Sequence, residues 1–222
     1  MFNLSSLKTA LVAVLLLASN QASASGVRVH ITEWMYSGNG GEYIEFTNLS
    51  GAGVDFTGWS FDDDSRLAGV FDLSGFGIVA HNESVIITED TADNFREDWR
   101  LASTVKVLGG VTNNLGRNDE INLFDKNGNL IDRLAYGDQS FPGSIRTQRI
   151  SGNPGSIAAL GLNDPTLWAL SSISDLFNSY SSEIGDIGNP GQFAISAVPV
   201  PAAVWFFGTA LVGLASIKRR RA

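Results

Sequence analysis

Through the middle of this chain, apolar and polar residues alternate in short runs separated by turn-forming residues. In residues 27–34, Val29 and Ile31 fall on one face of an extended segment, and Glu33 continues their phase and points inward. In residues 42–47, Ile44 and Phe46 share a face, which puts Glu45 on the opposite, solvated one. Residues 54–61 carry Phe56, Trp59 and Phe61, and short β-branched runs follow at 77–80, 84–88 and 105–108. Residues 120–125 and 130–136 flank Asn127-Gly128, the favoured centre of a type I′ hairpin turn. Seven to nine short strands at this spacing predict an all-β sandwich. One segment breaks the period: Ala92, Phe95 and Trp99 lie at helical spacing in residues 91–100, with Asp90 or Thr91 as N-cap of a short helix or irregular crossover. Residues 151–192 are rich in Ser, Asn, Gly and Pro, so they are expected to wrap the sandwich as loop, with Trp168 anchored in its core.

Two longer apolar runs lie outside this middle. Near the start, Lys8 precedes the apolar stretch 10–18, and Ala22-Ser23-Ala24 supplies small residues at the positions a signal peptidase reads. That order predicts a secretory signal over residues 1–24, cleaved after Ala24, rather than a permanent N-terminal anchor. Near the end, residues 202–217 carry no charge and are followed by Lys218, Arg219, Arg220 and Arg221. As a helix the segment would span roughly 24 Å, slightly less than a hydrocarbon core of ~30 Å. Snorkelling of the four cations absorbs the difference. The expectation is a single transmembrane helix with its basic stop on the cytoplasmic side and the middle outside. A buried C-terminal core helix is the competing reading, opposed by the four consecutive cations.

Charge sharpens the picture. Of fifteen Lys and Arg residues, five lie in the two end segments, which contain no acid, so ten bases face 23 acids in the middle, a net charge near −13. Nucleic-acid binding, which depends on neutralising phosphate, is disfavoured, and divalent cations are favoured. The absence of cysteine excludes disulfides, thiolate metal sites and cysteine nucleophiles, and two histidines do not make a multi-histidine metal centre. No G-x-S-x-G elbow occurs, and neither His30 nor His81 has an evident nucleophile beside it.

The candidate chemistry is therefore carboxylate chemistry. Asp62, Asp63 and Asp64 form a run whose mutual repulsion a Ca²⁺ ion would relieve, although a plain acidic loop has the same sequence. Asp125-x-Asn127-Gly128-Asn129-x-x-Asp132 has part of a Ca²⁺-loop pattern without its closing Glu. Glu33, pointing inward, needs partners: either a cation or a hydrogen-bonding turn. Trp34, Tyr36 and Trp99, if exposed, are candidates for stacking on sugars. Asn48 and Asn82 sit in N-x-S sequons.

Two resemblances follow from these residues. Val198-Pro199-Val200-Pro201-Ala202-Ala203, with the apolar run and the basic stop, resembles a PEP-CTERM sorting signal of the VPxPA type, with Val200 where the name-giving pattern has Glu. The resemblance implies processing near the Pro-x-Pro motif by an exosortase, in Gram-negative bacteria that make extracellular polysaccharide. In the middle, Val29-x-Ile31-x-Glu33-Trp34, Glu42-Tyr43-Ile44-Glu45-Phe46-x-Asn48 and Val54-Asp55-x-x-Gly58-Trp59 are similar to the start of a lamin-tail domain. Leu115-Gly116-x-x-Asp119-Glu120-Ile121 through Tyr136-Gly137 resembles its later half, and Gly188-Asn189-Pro190-Gly191 its closing turn. This resemblance implies an immunoglobulin-like β-sandwich over residues 25–196 that binds or scaffolds rather than catalyses, between the signal and a sorting tail at 197–222.

The expected protein is thus an exported, surface-sorted, non-catalytic binding or structural module of a Gram-negative envelope or polysaccharide matrix. Signal peptidase and exosortase process it, and an extracellular polysaccharide or surface protein is its expected partner. It has no required cofactor, with Ca²⁺ the one candidate. Two rivals remain open: a Ca²⁺-dependent adhesin, and a metal-assisted hydrolase of surface polymers built on Asp63, Asp119 or Glu33.

Overall fold

The computed structural model describes residues 28–194. The predicted signal (1–24, with Ala22 and Ala24) and the predicted tail (Val198 to Pro201, the span 202–217 and Lys218 to Arg221) lie outside the described residues. Among the described residues no helix is long and apolar enough to cross a membrane.

The strands are β1 (Val29–Met35), β2 (Tyr43–Asn48), β3 (Val54–Asp55), β4 (Ser60–Asp62), β5 (Phe71–Asp72), β6 (Ile78–Val79) and β7 (Ser84–Thr88). After helix α1 (Ala92–Asp98) come β8 (Lys106–Leu108), β9 (Asp119–Phe124), β10 (Leu130–Tyr136), β11 (Gly152–Pro154), β12 (Trp168–Leu170), β13 (Tyr180–Ser181) and β14 (Ile187–Gly188). One sheet has the order β12-β11-β1-β2-β7-β8 and the other β10-β9-β4-β5, with β3-β6 and β13-β14 as two-stranded ribbons. Among the named strands all pairs are antiparallel except β7 with β8, which α1 connects as a crossover.

The core lies between the two large sheets. Val29, Ile31, Ile44, Phe46, Val85 and Ile87 from one meet Phe61, Ile121, Leu123, Leu134 and Tyr136 from the other. Trp34 on β1 packs on Tyr136 of β10 at a centroid distance of 3.8 Å. Phe56 and Trp59 are buried as the alternation predicts, but they do not belong to one strand. An Asx turn, in which Asp55 accepts from the Thr57 amide at 3.0 Å, splits the predicted 54–61 strand into β3 and β4.

A second layer covers the opposite face of the six-stranded sheet. Phe95 and Trp99 of the α1 segment pack against Met35, Tyr43, Ile86 and Val107. The Thr91 hydroxyl accepts from the Asn94 amide at 3.2 Å and so caps α1, which is shorter than the predicted 91–100. The structure corrects three of the sequence readings. Trp34 and Trp99 are buried, and Tyr36 is half-buried with its hydroxyl accepting from Arg146, so none is an exposed sugar platform. Glu45 is 1% exposed rather than solvated. Residues 151–192 do wrap the sandwich, but they also add β11 and β12 to the large sheet, with Trp168 buried.

Two local irregularities differ from the sequence pattern. Pairing of β1 with β2 shifts register between Ile31 and Glu33, so Thr32 is the extra residue of a β-bulge. The bulge reverses the phase: Ile31 and Trp34 face the inter-sheet core, whereas Glu33 turns to the opposite face with Met35. The 124–130 hairpin is not type I′, because Gly128 has φ 77° while Asn127 is not in the left-handed region. Gly128 donates to the Asp125 carbonyl and the Asp125 amide to the Asn129 carbonyl, both at 2.9 Å, which is a type I turn followed by a glycine bulge; a separate register shift follows at Ile131.

Candidate functional site

Two carboxylates lie directly opposite one another on the covered face of the large sheet, Glu33 on β1 and Glu45 on β2. Both are buried. Glu33 Oε1 accepts from Tyr43 Oη at 2.8 Å, from Ser151 Oγ and from the Asn189 amide at 2.8 Å. Glu45 Oε1 accepts from Thr32 Oγ1 at 2.7 Å, and its Oε2 accepts from the Gly191 amide at 2.7 Å. Hydroxyls extend from each carboxylate. Thr32, Thr47 and Ser84 form a chain with links of 2.7 Å toward Glu45. Ser151, Ser171 and Asn153 form a second toward Glu33, with links of 2.7 and 2.9 Å, and Asn153 also donates to the Asn189 side chain at 2.9 Å.

What these groups hold is a strap, the segment Gly188-Asn189-Pro190-Gly191. Of the two alternatives for Glu33, the structure has the hydrogen-bonding turn. Gly188 passes so close that a Cβ there would sit 2.5 Å from Tyr43 Oη, 2.8 Å from Glu33 Oε1 and 2.9 Å from Ser151 Oγ. A backbone without a side chain is what lets the strap reach the carboxylates.

Burial sets the electrostatics. It pushes the Glu33 carboxyl up to about 8, Glu45 opposite adding to the push, while the bonds from Ser151, Asn189 and Tyr43 work against it. Burial likewise raises Glu45, opposed by the bonds from Thr32 and the Gly191 amide. The Tyr43 hydroxyl is raised well above its ordinary value by burial and then by the Glu33 charge.

A second acidic group surrounds residues 111–119. Glu42 Oε2 accepts from the Leu115 amide at 2.6 Å, and burial pushes the carboxyl up to about 8, with Glu89, Asp119 and Asp63 adding to the push. Asp119 accepts from the Gly116 amide at 2.6 Å and the Glu120 amide at 2.8 Å, and burial raises it. The Leu115-Gly116-x-x-Asp119 motif is therefore a loop lock, completed by Tyr136 donating to the Gly116 carbonyl at 3.0 Å.

The other candidate ligands do not converge. Asp62 is fully buried and spends Oδ2 on Ser65 Oγ and the Leu67 amide, both at 2.7 Å. The Asp63 carbonyl accepts from Asn122 at 2.6 Å, and Asp64 is exposed. Asp125 Oδ1 accepts from the amides of Asn127 and Asn129, whereas Asp132 turns away to the Ile31 amide at 3.0 Å and His30 Nδ1 at 3.1 Å. Glu33 keeps to its own cluster, apart from Asp63 and Asp119, the other residues of the hydrolase reading, which act on Glu42 instead. Among the described residues no group of three or more His, Cys, Asp or Glu side chains is placed to hold a metal ion. The Asn48 sequon is structural: its side chain is buried and donates to the carbonyls of Ala52, Val79 and Ala80.

Residues 22–138, just over half of the chain, match the family described as Lamin Tail Domain. The chain belongs to the lamin tail domain family. Among the described residues, a mostly-β architecture with one short α-helix is consistent with the immunoglobulin-like sandwich of that family. No curated protein matches the chain. The lamin-tail match stops at residue 138, short of the 192 reached by the resemblance in sequence. Glu33 and Glu45 thus come from the matched lamin-tail segment, and the strap they hold comes from beyond it. Sequence reasoning singled out Glu33 and, separately, the closing turn, but expected Glu45 in solvent. It missed Thr32, Tyr43, Ser84, Ser151, Asn153 and Ser171, because isolated hydroxyls and amides give no signal until folding gathers them.

Proposed function

We propose that this chain is an exported, surface-sorted lamin-tail protein that serves as a non-catalytic binding or structural module in a bacterial envelope or polysaccharide matrix. The observation that carries this reading is the use of the Glu33–Glu45 pair. These two opposed, buried carboxylates are the arrangement an acid–base enzyme would employ, and both are engaged by the amides of the chain's own strap. This engagement supports a role in fixing the fold over one in meeting a substrate. The Glu42 and Asp119 side chains are committed in the same way to the loop before β9.

The proposal assigns the ends their sequence-based roles. Residues 1–24 export the chain, with Ala22 and Ala24 at the cleavage site. Residues 202–217 hold it in the membrane, and an exosortase acts near Val198-Pro199-Val200-Pro201, with Lys218 to Arg221 as the stop. An extracellular polysaccharide or a surface protein is the partner. Intact-mass analysis of the protein from its host, with the cell fraction recorded, tests this. A chain beginning at Ser25, ending near Pro201 and found at the surface or in the medium is the expected result. A chain that keeps Arg221 and Ala222 in the inner membrane overturns the sorting role, and one that keeps residues 1–24 in the cytoplasm overturns export.

A further inference from the structure

The strap is held on its inner side by a pair of buried carboxylates set directly opposite one another. Glu33 and Glu45 are directly opposed across β1 and β2, a position that brings Cβ atoms to about 4.5–5.5 Å. Both are out of water. Glu33 Oε1 receives three donors while its Oε2 is buried with no hydrogen-bond partner. A bare, buried, charged oxygen beside a second carboxylate is costly, and a proton on the pair removes one charge.

We propose that the Glu33–Glu45 pair is a protonated latch: it holds the strap while it carries a proton, and the strap opens more readily as pH rises because the opened pair gives that proton up to water.

The groups facing the pair allow this. From β2 comes Tyr43, from β1 Thr32, from β7 Ser84, and from the segment before β11 Ser151. Tyr180 on β13 is the remaining titratable neighbour; burial, then Glu33, pushes it up to about 12, with the Arg100 guanidinium over its ring acting the other way. Both tyrosines stay neutral across the range in which the pair titrates, so the pair alone responds.

The sign follows from linkage. With the strap closed, Glu33 titrates near about 8; opened to water, it returns toward the ordinary 4.5. Between these values the closed form holds a proton that the open form has lost. The opening constant therefore rises about tenfold per pH unit in that window, one proton being released on opening, and levels off above it.

The test is hydrogen exchange at the amides of Asn189 and Gly191 in the full-length chain in detergent micelles, from about pH 5 to pH 9, corrected for the intrinsic pH dependence of exchange. The expected result is the tenfold-per-unit slope in the wild type, lost in Glu33→Gln and retained in Glu42→Gln. The latter removes another carboxyl that titrates in the same range but holds a different loop. A flat wild-type profile, or an unchanged slope in Glu33→Gln, overturns the proposal. If Glu33→Gln does not fold, the infrared carbonyl band of a protonated carboxylic acid decides on the other two proteins. Its presence near neutral pH in both wild type and Glu42→Gln supports the latch, and its absence from either overturns it.

Discussion

Replacing Gly188 with alanine adds one methyl group where three polar atoms already stand within 3.0 Å of its position: Tyr43 Oη, Glu33 Oε1 and Ser151 Oγ. Gly188 has no left-handed backbone, so the substitution tests crowding and not conformational strain. None of the three oxygens is at the loose end of a mobile side chain. Tyr43 is wedged against Phe95 and Trp99 at centroid distances of 5.3 and 5.7 Å, and Ser151 and Glu33 are bonded to each other. Overpacking a well-filled site costs about 1–3 kcal/mol. If the strap lifts to relieve the crowding, Glu33 loses the Asn189 amide, a further loss of roughly 1–3 kcal/mol for a buried polar group left short of a partner. The expected destabilisation is therefore about 2–6 kcal/mol, accompanied by faster exchange of the Asn189 and Gly191 amides. Urea unfolding followed by tryptophan fluorescence measures it. Gly128→Ala is the comparison: that residue has φ 77° and its nearest neighbour is the Ala68 methyl at 3.5 Å. Its cost is the strain of a left-handed alanine, roughly 1–2 kcal/mol, with the strap amides unaffected. A Gly188→Ala protein within ~0.5 kcal/mol of wild type, its strap still protected, refutes the reading of residues 188–191 as a tightly seated strap.

Three further outcomes are expected. Glu42 is raised to about 8 by burial, so its contribution to stability is complete below the ordinary value of 4.5 and is lost as pH rises through about 8; Glu42→Gln should flatten that part of a stability-against-pH curve, and an unchanged curve counts against the burial argument. Thr91→Ala removes the cap of α1 and should cost about 1 kcal/mol in urea unfolding, while a neutral result shows that packing of Phe95 and Trp99 alone holds the helix. Because Asp62 spends its carboxylate on Ser65 and Leu67 and the acidic run does not converge, the melting temperature should be the same with Ca²⁺ and with chelator; a rise with Ca²⁺ brings back the adhesin reading.

Much of this protein is set by local pattern. Alternation placed strands at 84–88 and 130–136 at the observed bounds, and helical spacing of Ala92, Phe95 and Trp99 marked α1. These are short-range properties: which side of an extended or helical segment a residue faces follows from its neighbours in the chain. The inward-facing Phe46, Phe56 and Phe61 could therefore be named from sequence, as could the family likeness carried by the motifs on β1 and β2.

Tertiary structure decided what alternation cannot express. A pattern of period two assigns Glu33 to the side of Ile31 and Glu45 to solvent. The bulge at Thr32 overrode the first assignment, because one extra residue reverses every face after it. The strap and α1 overrode the second, because a sheet face is polar or buried according to what is laid across it. The strap lies more than 140 residues after both carboxylates in the chain. Contacts at that separation leave no periodic trace, so sequence could supply the acids and the glycine-rich turn, while only the fold could show that one is built to hold the other.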